Sequence, residues 1–295
     1  MPRSFLLAFT KMHGLGNDFV LVDGTPPEVA ALPWTVYTPL LCDRAHGVGA
    51  DGVLLLAPES DGAIRMKMWN PDGSESGMCG NGLRCAARWA REEGWITGDV
   101  ALFRTQASDH AVRFAGPERI SVDMGLPRWT RGEIGITGPE DEPWAEESVT
   151  YPGGSGRAWA VSFGNPHMVV VPTDGLEHDV AHAGPTLEHH PAFPHRTNVH
   201  FVKVKGPQHL QMVTWERGAG LTLACGSGAC AVASVGVRHG WVTTPVTISL
   251  PGGELEISED GGRVWMTGPA TRVFEGVVPL PVDFALDLPW TPVNL

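Results

Sequence analysis

Apolar residues along the chain fall mostly in short runs bounded by glycine, proline and aspartate, the pattern of strands separated by turns. In the first half they predict strands over Ser4–Thr10, Phe19–Asp23, Val53–Ala57, Ile64–Trp69, Val100–Thr105 and Ile120–Met124. The second half repeats the theme over Ala158–Phe163, Met168–Val171, Val199–Val204, Leu210–Trp215, Val246–Leu250, Leu255–Ser258 and Val264–Thr267. Two segments break the strand pattern and predict helices, one from about Gly80 to Glu93 and one from about Gly226 to His239, each stopped by a glycine. The second is apolar almost all round, so it is expected to be buried. Residues 136–156, rich in Pro, Glu and Gly, lack periodicity and read as an exposed insertion.

The halves match in more than texture. Met78-Cys79-Gly80-Asn81-Gly82 and Ala224-Cys225-Gly226-Ser227-Gly228 each place a cysteine just before a Gly-x-Gly that opens a helix. Asn70 lies 9 residues before Cys79, and Glu216 lies 9 before Cys225. Gly16-Asn17 and Gly164-Asn165 precede the two cysteines by 62 and 60 residues, counted from the asparagines. The chain therefore predicts an α/β (α+β) fold of two pseudo-symmetric domains, each a mostly antiparallel or mixed sheet wrapped around a central helix, with the active site in the interdomain cleft. The expected domains are residues 1–125 and 126–271, with 272–295 returning to the first.

Composition narrows the functional classes. A net charge of −12 without a basic cluster argues against nucleic-acid binding, and no run approaches the length of a membrane helix. The five cysteines, an odd number, fit free thiols in a reducing cytoplasm, because no secretory signal opens the chain. The close cysteine pairs, Cys79/Cys85 and Cys225/Cys230, lack metal-ligand spacing, so no metal is expected. Gly47-Val48-Gly49-Ala50-Asp51-Gly52 matches a dinucleotide fingerprint, but a strand follows it and no helix opens there.

A thiol at a helix N-terminus meets the positive end of the dipole and unpaired N–H groups, so a favoured thiolate is expected at Cys79 and Cys225. Two such thiols suit an inversion at a carbon bearing hydrogen, in which one group takes the proton from one face and the other donates to the opposite face. Only four lysines are present, none in the motifs, so a pyridoxal Schiff base is not expected and no cofactor is required. A helix dipole contributes about 0.3–2 kcal/mol, too little to stabilise a carbanion alone. Preorganised donors are worth about 2.7–4 kcal/mol each. The N–H groups of Gly80, Asn81, Gly226 and Ser227 are the candidates to clamp the reacting carboxylate.

These motifs, with Met12-His13-Gly14-Leu15-Gly16-Asn17-Asp18-Phe19, Asn70-Pro71-Asp72-Gly73-Ser74, Gly164-Asn165-Pro166-His167, Thr197-Asn198-Val199 and Trp215-Glu216-Arg217-Gly218, resemble the diaminopimelate epimerase family across nearly the whole chain and in the family's order. The resemblance implies two similar α/β domains and a pyridoxal-independent, cytoplasmic, usually dimeric enzyme. Its reaction interconverts LL- and meso-diaminopimelate for lysine and peptidoglycan synthesis. It further implies that Asn70, Asn165, Asn198 and Arg217 hold the distal carboxylate, Glu216 with Asn70 the distal ammonium, and that Asn17 lines the same pocket. The chain departs from the family in carrying Ser227 where threonine is usual and in the length of segment 136–156. Two rival readings are a proline or hydroxyproline racemase, which normally has histidine where Asn81 stands, and a non-catalytic binding protein of the same fold. His13 and His167 stand beside motif asparagines, either to orient them or as structural histidines.

Overall fold

Each apolar run becomes a strand and each half closes around its own helix. The computed structural model describes residues 4–116, 118–173 and 180–281. The first half comprises β1 (Ser4–Gly14), β2 (Asn17–Asp23), α1 (Pro27–Ala30), α2 (Trp34–Cys42), β3 (Val53–Pro58), β4 (Ile64–Trp69), β5 (Glu75–Ser76), α3 (Gly80–Glu92), β6 (Val100–Arg104), β7 (Asp109–Phe114) and β8 (Ile120–Gly125). The second comprises α4 (Arg131–Ile134), β9 (Glu147–Tyr151), β10 (Gly154–Ser162), β11 (Pro166–Pro172), α5 (Val180–Glu188), β12 (Asn198–Gly206), β13 (His209–Glu216), β14 (Gly220–Thr222), α6 (Gly226–Arg238), β15 (Val246–Leu250), β16 (Gly253–Asp260) and β17 (Arg263–Gly268). A last strand, β18 (Thr271–Pro281), follows.

The pairings repeat. β1 runs antiparallel to β2, β2 parallel to β3, β3 antiparallel to β4 and β4 parallel to β6, followed by the antiparallel β7 and β8. β10, β11, β12, β13, β15, β16 and β17 follow the same order with the same directions. β17 pairs with β8 and joins the halves. β18 pairs with β1 as β9 pairs with β10, so the described end of the chain lies on the first half. Residues 282–295 lie outside the described residues.

Besides the single turns α1 and α4, two longer helices have no counterpart in the sequence pattern. α2 and α5 make the matching crossovers between parallel strands, and each holds a proline at its sixth position, Pro39 and Pro185. An internal proline removes a backbone donor and reads as a break. Packing overrides it: Trp34, Tyr37 and Leu41 of α2 bury against Val20, Val22, Val53 and Leu55. Leu54 and Leu56 face the other way, onto Leu83, Ala86 and Ala90 of α3. Covered on both faces, β3 reads as an unbroken apolar run. Strand β7, paired between β6 and β8, has no predicted counterpart either, because His110 and Arg113 dilute its apolar pattern.

Segment 136–156 is not the exposed insertion its composition suggests. Ile136, Trp144, Val149 and Tyr151 are buried in one cluster with Ala183 and Leu187 of α5. β9 within it pairs along β10. Its apolar residues are widely spaced, but each reaches the outer core of the second half.

Candidate active site

Two helix starts meet at one methionine. Cys79 and Cys225 are the N-caps of α3 and α6, both in extended backbone, so each thiol precedes a turn of N–H groups without helical partners. The following glycines permit close approach: a Cβ on Gly80 would lie 2.6 Å from Met266 Cε, and one on Gly226 would lie 2.9 Å from Met266 Sδ. The same point beside Gly226 is 3.6 Å from Asn81 Oδ1, so a residue of each half borders the other. All five cysteines are free. Cys42, Cys85 and Cys230 are core residues, and burial pushes Cys42 and Cys85 up to about 12.

The helix dipole does not produce a resting thiolate here. Burial pushes the Cys79 thiol above its ordinary value, and the N–H groups of Gly82 and Asn81 only partly offset this. Burial, then the charge of Glu216, pushes Cys225 up further. Desolvation can shift a pKa by several units, whereas a dipole is worth roughly one. Burial therefore opposes the thiolate that the dipole was expected to favour. Glu216 bears on both thiols, and its own carboxyl is pushed up by burial.

Polar side chains line up on each side of the thiols. Asn17 accepts at Oδ1 from the Cys79 thiol, 3.7 Å away, and from Asn81 Nδ2 at 3.1 Å. Its own Nδ2 donates to Asp51 at 2.8 Å, which fixes the amide with its oxygen toward the thiol. In the second half Cys225 lies 3.9 Å from Ser227 Oγ. Asn198 donates to the Pro166 carbonyl and accepts from the Arg217 backbone N–H at 3.1 Å, while Arg217 is exposed and donates to the His195 carbonyl. Asn165 accepts from the His167 ring at 2.9 Å. Asn70 stands apart from these contacts, its amide donating to Ser74 in the turn between β4 and β5. His13 is structural, accepting from the Gly16 N–H across the β1–β2 turn.

Four supporting residues were not legible as site residues. Glu188 on α5, itself buried, accepts from Trp215 Nε1 at 2.7 Å and from the Gly218 N–H at 3.0 Å, and so clamps the Glu216–Arg217 turn. His200 lies 2.9 Å from His167 Nδ1 and 3.0 Å from Thr214 Oγ1. Burial holds both rings neutral, His167 at about 3 and His200 well below its ordinary value. With neutral rings, one assignment satisfies every atom: Thr214 donates to His200, His200 to His167, and His167 to Asn165. The repeated Asn-x-His at 165–167 and 198–200 was the available signal, since alternate residues share a strand face. Asp51 belongs to the glycine-rich motif set aside as a nucleotide site, and Met266 carries no motif at all.

The sequence model of diaminopimelate epimerase matches residues 9–130 and 159–273. The chain belongs to the diaminopimelate epimerase family. Residues 131–158, between the matched stretches, hold α4, β9 and the start of β10. A diaminopimelate epimerase from Heliobacterium modesticaldum is 43% identical over 285 residues, covering 93% of this chain and 100% of that protein. One from Desulforudis audaxviator is 46% identical over 279 residues, covering 92% and 98%. The fold of this diaminopimelate epimerase family member is also that of more distant solved structures. A PhzF-family phenazine biosynthesis protein from Bacillus anthracis has a TM-score of 0.63 at 15% identity, covering 93% of this chain and 99% of its own. A hydroxyproline epimerase from Agrobacterium vitis has a TM-score of 0.62 at 15% identity, covering 95% and 94%. Among the described residues of the chain, no helix is long and apolar enough to cross a membrane.

Proposed function

We propose that this chain is a pyridoxal-independent epimerase that interconverts LL- and meso-2,6-diaminopimelate, with Cys79 and Cys225 as its acid/base pair. The meeting of the two Cys-Gly helix starts across Met266 carries this reading. An α-carbon held between the thiols would lose its proton to one sulfur while the other sulfur's proton arrives on the opposite face. The C–H bond that breaks and the C–H bond that forms leave the substrate inverted and the pair with exchanged protonation. Charge developing on the carbon delocalises into its carboxylate, toward which the N–H groups of Gly80, Asn81, Gly226 and Ser227 would point. Asn17, Asn70, Asn165, Asn198, Glu216 and Arg217 are the groups assigned to the rest of the substrate, its distal amino-acid end above all. The lysines support independence from pyridoxal: Lys67, Lys203 and Lys205 are exposed, and Lys11 is engaged by Asp18 and the Gly49 carbonyl.

The enzyme is read as a cytoplasmic homodimer in lysine and peptidoglycan biosynthesis, from the family alone; light scattering of the purified chain tests the dimer. The reaction is tested by proton NMR of LL-diaminopimelate with reduced protein in D₂O, without added cofactor. Deuterium should enter one α-carbon as meso product forms, and inversion should be lost in Cys79→Ala and in Cys225→Ala. Inversion of proline or hydroxyproline without exchange into diaminopimelate would favour the racemase reading instead. No exchange into any of the three substrates would favour the non-catalytic binding protein.

A further inference from the structure

Arg84 is a cation in the wrong place for a structural residue. It is wholly buried, with a side chain among the largest of any fully enclosed residue. Its Nη2 donates to Asn81 Oδ1 at 2.9 Å, its Nε donates to the Pro269 carbonyl at 3.1 Å, and its Nη1 lies 3.4 Å from Met266 Sδ. All three partners are neutral. Among the described residues no carboxylate forms an ion pair with it. A guanidinium cannot escape burial by losing its proton at ordinary pH, so a standing positive charge remains in the protein interior.

The position is prepared for it. A Cβ on Gly14 would lie 2.9 Å from Arg84 Nη2, so β1 gives up a side chain to admit the guanidinium; one on Gly268 would meet Leu255 Cδ2 at 2.5 Å and then Arg84 Nε at 3.2 Å. Facing it from α3 are Cys79 and Cys85, and from α6 Cys230; β1, β17 and the turn at Pro269 contribute Gly14, Met266 and a carbonyl. Glu216 bears on Cys79 from β13.

The pseudo-symmetry shows what the charge does. Counted from the capping thiol, Arg84 follows Cys79 by 5 residues, and the residue 5 after Cys225 is the neutral Cys230. Counted backwards by 9, Cys225 has the carboxylate Glu216 and Cys79 has the neutral Asn70. At these two positions the halves differ in charge, although the Glu216 carboxylate bears on Cys79 as well as on Cys225. A cation is added behind Cys79 and an anion beside Cys225.

We propose that Arg84 is a positioning residue for the thiol pair: its buried, unpaired charge acts through space on Cys79 and makes it the thiol that yields its proton, while Glu216 keeps Cys225 protonated. This proposal rests on the acid/base reading of the two thiols, and its test is separable from that reading because it needs no substrate.

The test is iodoacetamide alkylation of the full chain as a function of pH, followed for each cysteine by peptide mass spectrometry, in the wild type, Arg84→Lys and Arg84→Met. Arg84→Met should raise the Cys79 midpoint by about one pH unit or more, and Arg84→Lys should restore most of the shift. In the wild type itself the Cys79 midpoint should lie below that of Cys225, a comparison that stands if Arg84→Met does not fold. Coincident Cys79 midpoints in the wild type and a folded Arg84→Met, or a wild-type Cys225 midpoint at or below that of Cys79, would overturn it. Epimerase assays on the same samples separate the two claims. A protein that shows the Arg84 shift but inverts no diaminopimelate sinks the substrate reading alone. An active enzyme without the shift sinks the role of Arg84 alone.

Discussion

Gly228, in the first turn of α6, lies flat against the ring of His200: a Cβ there would stand 2.9 Å from both ring nitrogens and closer still to Cε1. The second thiol's helix is thereby seated on the Thr214–His200–His167–Asn165 chain. Gly228→Ala should push the start of α6 and the histidine apart. We expect a stability loss of about 1–3 kcal/mol and a fall in kcat of about 10²-fold, since a shift of about 1 Å misplaces the thiol. Thermal melting and steady-state epimerisation check the two effects.

Glu188→Ala leaves the Trp215 indole N–H and the Gly218 N–H without their acceptor. An unsatisfied buried donor costs about 1–3 kcal/mol, and with Trp215 half-buried and Gly218 exposed, urea unfolding should show a loss of about 1–2 kcal/mol. Because the freed turn carries Glu216 and Arg217, KM for diaminopimelate should rise more than kcat falls. A folded variant with unchanged KM would remove Glu188 from the site's support.

Stability should fall with acid through the buried histidines. His167 is held neutral down to about 3, whereas in the unfolded chain it takes a proton near 6.5. Between those values the unfolded state binds the extra proton, so the contribution is present above about pH 6.5 and is lost as the pH falls. From pH 7 to 5 this one group should lower unfolding free energy by about 2 kcal/mol, and His200 acts in the same direction. Urea titrations at the two pH values, compared with His167→Gln, should show a shallower dependence in the variant.

Asp51 holds the Asn17 amide with its oxygen toward Cys79. Asp51→Ala should let the amide turn and weaken turnover by about fivefold, the worth of a single hydrogen bond of about 1 kcal/mol. Asp51→Asn, which can present its own oxygen to Asn17, should recover most of that loss. Equal turnover in wild type and Asp51→Ala, measured at saturating diaminopimelate, would show that Asn17 needs no such support.

Much of this architecture was legible along the chain because it is written in short-range patterns. Apolar runs and turn residues located nearly every paired strand, and Cys-Gly-x-Gly with a terminal glycine located both central helices. Elements whose stability comes from distant partners were not legible. α2 and α5 carry an internal proline and form because their apolar residues cover an outer sheet face. Segment 136–156 looks polar until Trp144 and Val149 meet α5. The site divided in the same way: Cys79, Cys225 and the motif asparagines stand in recognisable strings, whereas Glu188, His200 and Met266 belong to none.

The sequence by itself determined that the chain has two related halves, that each sets a thiol-capped helix among its strands, and which residues are the candidates for the chemistry. Periodicity, capping and duplication are properties of neighbours, and neighbours are what a sequence records. Only the tertiary structure decided that the two caps meet across Met266, that burial outweighs the helix dipoles and pushes both thiols up, and that Arg84 stands behind one thiol without a counter-ion among the described residues. Desolvation and unpaired charge depend on everything that surrounds a group, and residues as far apart in the chain as Arg84 and Pro269 become surroundings only when the halves close.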